Sequence, residues 1–129
     1  TDRLIPTEST TSVEFELPVL ARSLERASLL THESRNNVVK MTLDVQNQLV
    51  KLQGDSPEIG NVEEEIGFKN LEGEGLTISF NPDYLREALR ASITDSIIMN
   101  FTQPLRPFTV VPAKQDVNFT QLITPVRTF

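Results

Sequence analysis

Three consecutive glutamates, Glu63-Glu64-Glu65, with Glu58 nearby, come closest in this chain to residues placed for acid–base chemistry. On a strand, alternation sets Glu63 and Glu65 on one face, where two carboxylates could serve as acid and base. A hydrolase or a metal site needs further partners at depth, and none is evident in the sequence. The run therefore reads as a solvated face or a charged protein interface. His32, the single histidine, falls just past a helical stretch, where an imidazole caps a helix end or lies at the surface. The chain has no cysteine, which excludes a thiolate nucleophile, disulfides and thiolate metal ligands. The EGEG segment lacks the flanking residues of a phosphate-binding loop, and no Ser-His-acid order is supported by a motif. No catalytic residue, metal or cofactor is expected.

Arginines form the second constellation. Arg22 and Arg26, and again Arg86 and Arg90, are spaced i, i+4 in helical stretches. With Leu20 at the centre of the buried face, Arg22 and Arg26 fall roughly 200° and 240° round the helix. Arg86 and Arg90 likewise turn away from Leu85 and Leu89, so both helices are expected to present an arginine pair to solvent. Solvated decoration is one reading. The other is a basic track suited to phosphate backbones without base reading. Bulk charge argues against nucleic acid, since 12 basic and 18 acidic residues give a net charge of −6. Asn100-Phe101-Thr102 and Asn118-Phe119-Thr120 match the glycosylation sequon, but without a secretion signal the matches are read as coincidental.

The elements that must carry these residues centre on Leu76 to Ala91. Ile78 and Phe80 alternate with polar residues as on a half-buried strand. Asn81 can then cap a helix opening with Pro82 and Asp83, and Leu85, Ala88, Leu89 and Ser92 form its core-facing stripe. The same unit occurs earlier, as Val13-Glu14-Phe15 followed by Leu20, Ser23, Leu24 and Ala27. Moving the later unit back 65 positions superposes Ile78 on Val13, Phe80 on Phe15, Leu85 on Leu20 and Leu89 on Leu24. Short strand-like runs follow each helix, so the chain reads as two β-α-β-β-β units.

In order, Thr1 to Ser12 is polar apart from Leu4-Ile5-Pro6 and reads as an arm or interdomain linker. Val13 to Leu17 predicts a strand, and Pro18 to about Thr31 a helix. VVKMTLDV and QLVKLQ predict a hairpin joined at Gln46-Asn47. A bend at GDSPEIGN precedes a strand with Val62, Ile66 and Phe68 on one side. Leu71 and EGEG read as a flexible connection. SIIMNF, LRPFTVVP and FTQLITPV predict three further strands, with Pro104, Pro107, Pro112 and Pro125 at strand ends or unpaired edges. The ending QLITPVRTF is unusually apolar for a chain end and reads as either a last strand or a groove-lining tail. One ordinary domain fits 129 residues. No apolar run is long enough for a membrane span. The start at Thr1, without Met, suggests a fragment or a processed chain.

The segments DRLIP, ISFNPDYLREAL, MNFTQPLRPFTVVP and QLITPVRT together resemble the C-terminal domain of the bacterial DNA polymerase III β subunit, the sliding clamp. The resemblance covers essentially the whole chain. It implies an α+β DNA-clamp fold of two β-α-β-β-β repeats, with two helices packed on one face of antiparallel sheets. Residues 1–6 would be the interdomain arm and 7–129 the domain.

The resemblance also implies a function without catalysis. Two chains would close head-to-tail into a ring around duplex DNA, with Arg22, Arg26, Arg86 and Arg90 facing the duplex. A hydrophobic pocket would tether DNA polymerase III and other proteins carrying a clamp-binding motif, and a clamp loader would be a further partner. The pocket half supplied here would comprise Arg3, Leu4, Asn81, Tyr84, Leu105, Pro107, Leu122, Thr124, Pro125, Val126 and Arg127. Thr124 stands where better-known clamps carry a bulkier apolar residue, and Thr128-Phe129 runs beyond their usual stop. The ring-closing edge would use Leu29, Leu30, Glu63 and Glu65, an apolar core with a charged rim. A bacterial cytoplasmic, nucleoid-associated location with no membrane contact would follow. The rival readings are a free-standing peptide-binding or inhibitory module, and a small acid–base hydrolase using Glu63 and Glu65.

Overall fold

The computed structural model describes residues 10–31, 37–56, 58–92, 94–113 and 121–126. Alternation makes the first element: Thr11, Val13 and Phe15 are buried in β1 (Thr11–Glu16), while Ser12, Glu14 and Glu16 point outward. Helix α1 (Leu17–Thr31) follows without a break and buries Leu20, Ser23, Leu24 and Ala27, the stripe its spacing predicts. Strands β2 (Val39–Asp44) and β3 (Leu49–Ser56) form the expected hairpin. Its turn spans Val45 to Gln48, with Gln48 in the left-handed region at φ 56° and the Asp44 carboxylate accepting from the Asn47 backbone and side-chain amides. Gly54 is the reason α1 can lie so close to β3, because a Cβ there would come within 2.9 Å of Thr31 Cγ2.

The next strands are β4 (Gly60–Glu65), β5 (Asn70–Gly73) and β6 (Leu76–Phe80). Strand β5 corrects the expectation of a flexible connection at Leu71 and EGEG. Its Leu71 is buried opposite Val13 of β1. Gly73 ends it at φ +108°, where a Cβ would fall 2.0 Å from the Thr10 carbonyl oxygen, so glycine is required. A four-residue strand with one apolar side chain carries too little periodicity to be read locally.

Helix α2 (Pro82–Ala91) forms as its caps dictate. Asn81 Oδ1 accepts from the Asp83 amide at 2.9 Å, Asp83 lies in the first turn and Arg90 in the last. Leu85, Ala88 and Leu89 are buried, whereas Ser92 is the C-cap, its amide donating to Leu89 O. Strands β7 (Ser96–Phe101), β8 (Phe108–Pro112) and β9 (Gln121–Ile123) complete the described chain. Of the expected strand-end prolines, Pro112 closes β8, Pro104 and Pro107 lie between β7 and β8, and Pro125 forms a single bridge.

Two antiparallel sheets result, ordered β5-β1-β7-β8-β9 and β4-β3-β2-β6. The repeats exchange their first strands: β1 pairs with β7 of the second repeat, and β6 with β2 of the first. Equivalent residues occupy equivalent places, Val13 opposite Met99 and Ile78 opposite Met41. Neither half therefore has a complete sheet without the other. Phe15, Phe80, Phe101 and Phe108 are among the largest fully buried side chains of the one continuous core.

Candidate functional site

Sheet order builds the first site. Strand β9 pairs with β8, placing Ile123 opposite Phe108 and Leu122 opposite Thr109. By alternation Ile123 enters the core and Leu122 stands 65% exposed. The chain then leaves the first sheet for the edge of the second. Pro125 bridges Phe80, and the Val126 amide donates to Ser79 O at 2.7 Å. This crossing brings the chain end beside the start of α2, where Tyr84 is 57% exposed. Leu105, 59% exposed, lies on the loop leading into Phe108, together with exposed Pro107.

Thr124 is exposed, and Pro125 and Val126 are half-buried. Asn81 is present, but its side-chain oxygen is engaged in capping α2. Arg3, Leu4, Arg127 and the Thr128-Phe129 extension lie outside the described residues, as do His32 and Asn118. Sequence reasoning gave Phe80 and Phe108 no part in the site, yet Phe80 bridges Pro125, Phe108 lies opposite Ile123, and the two rings touch. Their only local signal was apolar alternation. The match at Asn100 is not an acceptor site, since Asn100 is buried in β7.

The arginines are not four equivalents. Arg22 and Arg90 are exposed. Arg86 is half-buried, 3.6 Å from Asp83 and within 3.4 Å of Ser28 Oγ, which corrects its expected solvent-facing position. Around it a polar cluster ties the helices together: Ser28 donates to Asp83 Oδ1 at 3.1 Å, Asn37 to Asp83 Oδ2 at 2.8 Å, and Thr31 to Asn37 Oδ1 at 2.7 Å. Leu17, Ala21 and Glu25 of α1 and Arg86, Leu89 and Arg90 of α2 line a shallow groove between the helices.

Arg26 reaches sideways to β4. Its Nε donates to Glu64 Oε1 at 3.2 Å and its second nitrogen pairs with Glu64 Oε2. Buried Ser23 donates to the same Oε2 at 3.0 Å. The Arg26 hydrogen bonds hold the Glu64 carboxyl below the ordinary carboxylate range; burial opposes them in part, and the Ser23 hydrogen bond and the Arg26 charge add smaller lowering effects.

The third region is the β4 edge. Glu63 and Glu65 are exposed on one face, as alternation requires, while Glu64 turns to the helix side. Leu29 is 73% exposed and Leu30 half-buried, so only one of the two leucines expected at the ring-closing edge stands open to solvent. Exposed Ile59 lies at the turn before β4. Among the described residues no group of three or more His, Cys, Asp or Glu is placed to hold a metal ion.

The model of the DNA polymerase III beta subunit, C-terminal domain, matches residues 2–127. This chain belongs to that family. Among members of the β-subunit family, it is 47% identical over 128 residues to the Beta sliding clamp of Streptococcus pneumoniae, covering 99% of this chain and 33% of that protein. Identity to the Beta sliding clamp of Bacillus subtilis is 40% over 129 residues, covering 100% of this chain and 34% of the relative. The solved DNA polymerase III beta chain of S. pneumoniae superposes with a TM-score of 0.90 at 46% identity, over 99% of this chain and 33% of that one. The solved B. subtilis sliding clamp gives 0.87 at 38% identity, over 100% of this chain and 34% of its own. The α+β clamp architecture is thus shared with the β-subunit family, and the chain spans about a third of the length of the relatives it matches.

Proposed function

We propose that this chain is the C-terminal domain of a DNA polymerase processivity factor, a sliding clamp that encircles duplex DNA and tethers polymerases and repair proteins. The observation that carries the reading is the chain end passing from β9 to the edge of β6. It borders the start of α2, on an element that also exposes Tyr84, and follows directly from exposed Leu122. Exposed apolar side chains around a rigid floor suit the capture of a short peptide by a few anchors.

Residues 1–6 would be the arm from a preceding domain and 7–129 the domain itself. The arm's Arg3 and Leu4, with Arg127, would complete the pocket half. Arg22 and Arg90, exposed on the two helices, would face the duplex without reading bases, and the β4 edge with Leu29, Leu30, Glu63 and Glu65 would meet a second chain head-to-tail. A clamp loader would place the ring on DNA, in the cytoplasm at the nucleoid. Its work is topological, and the reading assigns no catalytic residue. No helix among the described residues is long and apolar enough to cross a membrane.

The pocket is tested by fluorescence anisotropy of a labelled peptide, a Gln followed by apolar residues, titrated with the intact subunit. Tyr84→Ala, Leu105→Ala and Leu122→Ala should each weaken binding about fivefold or more. Glu63→Gln with Glu65→Gln should leave it unchanged. Loss of affinity in the glutamate variant, with the other three at wild-type affinity, would overturn the assignment.

A further inference from the structure

Strand β4 is an edge strand that pairs, among the described residues, with β3 alone. Few apolar side chains hold it down. Val62 is half-buried, and Ile66, just beyond the strand end, is the first fully buried residue. Between them lies Glu64, the middle of three consecutive carboxylates whose mutual repulsion opposes a flat edge. Glu64 receives a two-pronged guanidinium from Arg26 and a hydroxyl from Ser23, both on α1. Arg26 also donates to Ser23 Oγ at 3.4 Å, closing a three-residue ring of contacts. Exposed ion pairs usually contribute little, but a planar fork on both carboxylate oxygens is the geometry in which they do.

We propose that Arg26 is a positioning residue for edge strand β4, not a contact for an anionic partner. Its fork neutralises the central glutamate and anchors β4 to α1 between Val62 and Ile66. Glu63 and Glu65 then remain the outward charges, on a strand held in fixed relation to Leu29 of the same helix. A guanidinium committed in this way has its Nε and a terminal nitrogen occupied and its charge offset by Glu64, so a phosphate would meet a compensated charge through the remaining terminal nitrogen. Lysine cannot replace it, because an ammonium offers charge without the planar fork. The assignment of Arg26 away from DNA rests on the clamp reading above; the anchoring of β4 does not.

The two parts separate experimentally in the intact subunit. Hydrogen exchange of the peptide covering Gly60 to Ile66, measured at concentrations where sedimentation shows the subunit monomeric, reports the edge, and the Ile66 amide, bonded to Val50 O at 2.9 Å, belongs to it. Arg26→Lys and Glu64→Gln should each speed exchange there about two- to fivefold, with the β7–β8 peptides unchanged. In parallel, the salt dependence of binding to duplex DNA should have the same slope in Arg26→Ala as in wild type, and a shallower one in Arg90→Ala. Wild-type exchange in both fork variants would overturn the anchoring. A shallower salt slope in Arg26→Ala would overturn the denial of an anion contact. Absence of DNA binding by the wild-type subunit would instead count against the clamp reading, and the exchange result would still decide the anchor.

Discussion

The rings of Phe80 and Phe108 meet edge to face, 5.4 Å between centroids and 66° between planes, although Phe80 ends β6 in one sheet and Phe108 begins β8 in the other. Phe101 lies against the same Phe108 ring at 4.9 Å. This aromatic contact is where the two sheets are joined beneath the crossing chain end, so core packing and the proposed pocket share a floor.

Phe108→Ala should therefore be severe. Removing a buried phenylalanine costs about 3–5 kcal/mol. Urea unfolding followed by circular dichroism should show a single transition moved to lower urea, because the exchanged strands prevent either half from surviving alone. Two separated transitions would mean that the repeats are independent.

Acid should loosen the α1–β4 contact. The Glu64 carboxyl is held low chiefly by the Arg26 hydrogen bonds, with a smaller contribution from Ser23. A folded-state pKa below the unfolded value stabilises above the unfolded pKa of about 4.3. That stability is lost as pH falls through the lower folded value. Asp44, lowered by its Asn47 hydrogen bonds, acts in the same direction. Unfolding midpoints measured from neutral pH down through this window should fall less steeply in Glu64→Gln than in wild type. Parallel curves would remove Glu64 from the account.

Local patterning made much of this architecture legible. Val13, Phe15, Leu20 and Leu24, and their counterparts Ile78, Phe80, Leu85 and Leu89, announce both strand-helix units because period-2 and period-3.6 burial act within a few residues. The exchange of β1 and β6 between repeats was not legible, since either pairing satisfies the same alternation. The partner of Arg26 was hidden for a related reason. A helical wheel gives an azimuth, and only the fold shows that β4 passes beside it with a carboxylate. Leu30 fell short of exposure at the helix end, where one residue of rotation decides which leucine turns inward. The proposed pocket residues came from family resemblance rather than spacing, because those among them that are described lie on or beside α2, on the β7–β8 loop and on the segment from β9 to Val126.

At the proposed ring-closing edge, Leu29 is the exposed leucine and should carry the apolar contact. Burying one leucine contributes roughly 1.5–3 kcal/mol. Leu29→Ala in the intact subunit should therefore raise the dimer dissociation constant about tenfold or more in sedimentation equilibrium. The unfolding midpoint should stay near wild type. Wild-type dimerisation in this variant would place the contact elsewhere.

On the helix face, Arg22, Arg26 and Arg90 are exposed, but Arg26 is engaged with Glu64, as half-buried Arg86 is with Asp83. Replacing Arg22 and Arg90 with alanine should flatten the salt dependence of DNA binding by about one to two phosphate contacts. Retention of the full slope would make them solvated decoration.

Topological tethering is tested most directly by comparing circular with linear DNA. The intact subunit would be loaded by its clamp loader onto nicked circular duplex, separated by gel filtration at high salt, and the DNA then cut once. The account predicts co-elution with the circle and release on linearisation, because a ring is held by linkage and slides off a free end. Equal retention on circular and cut DNA, or none on either, would contradict it.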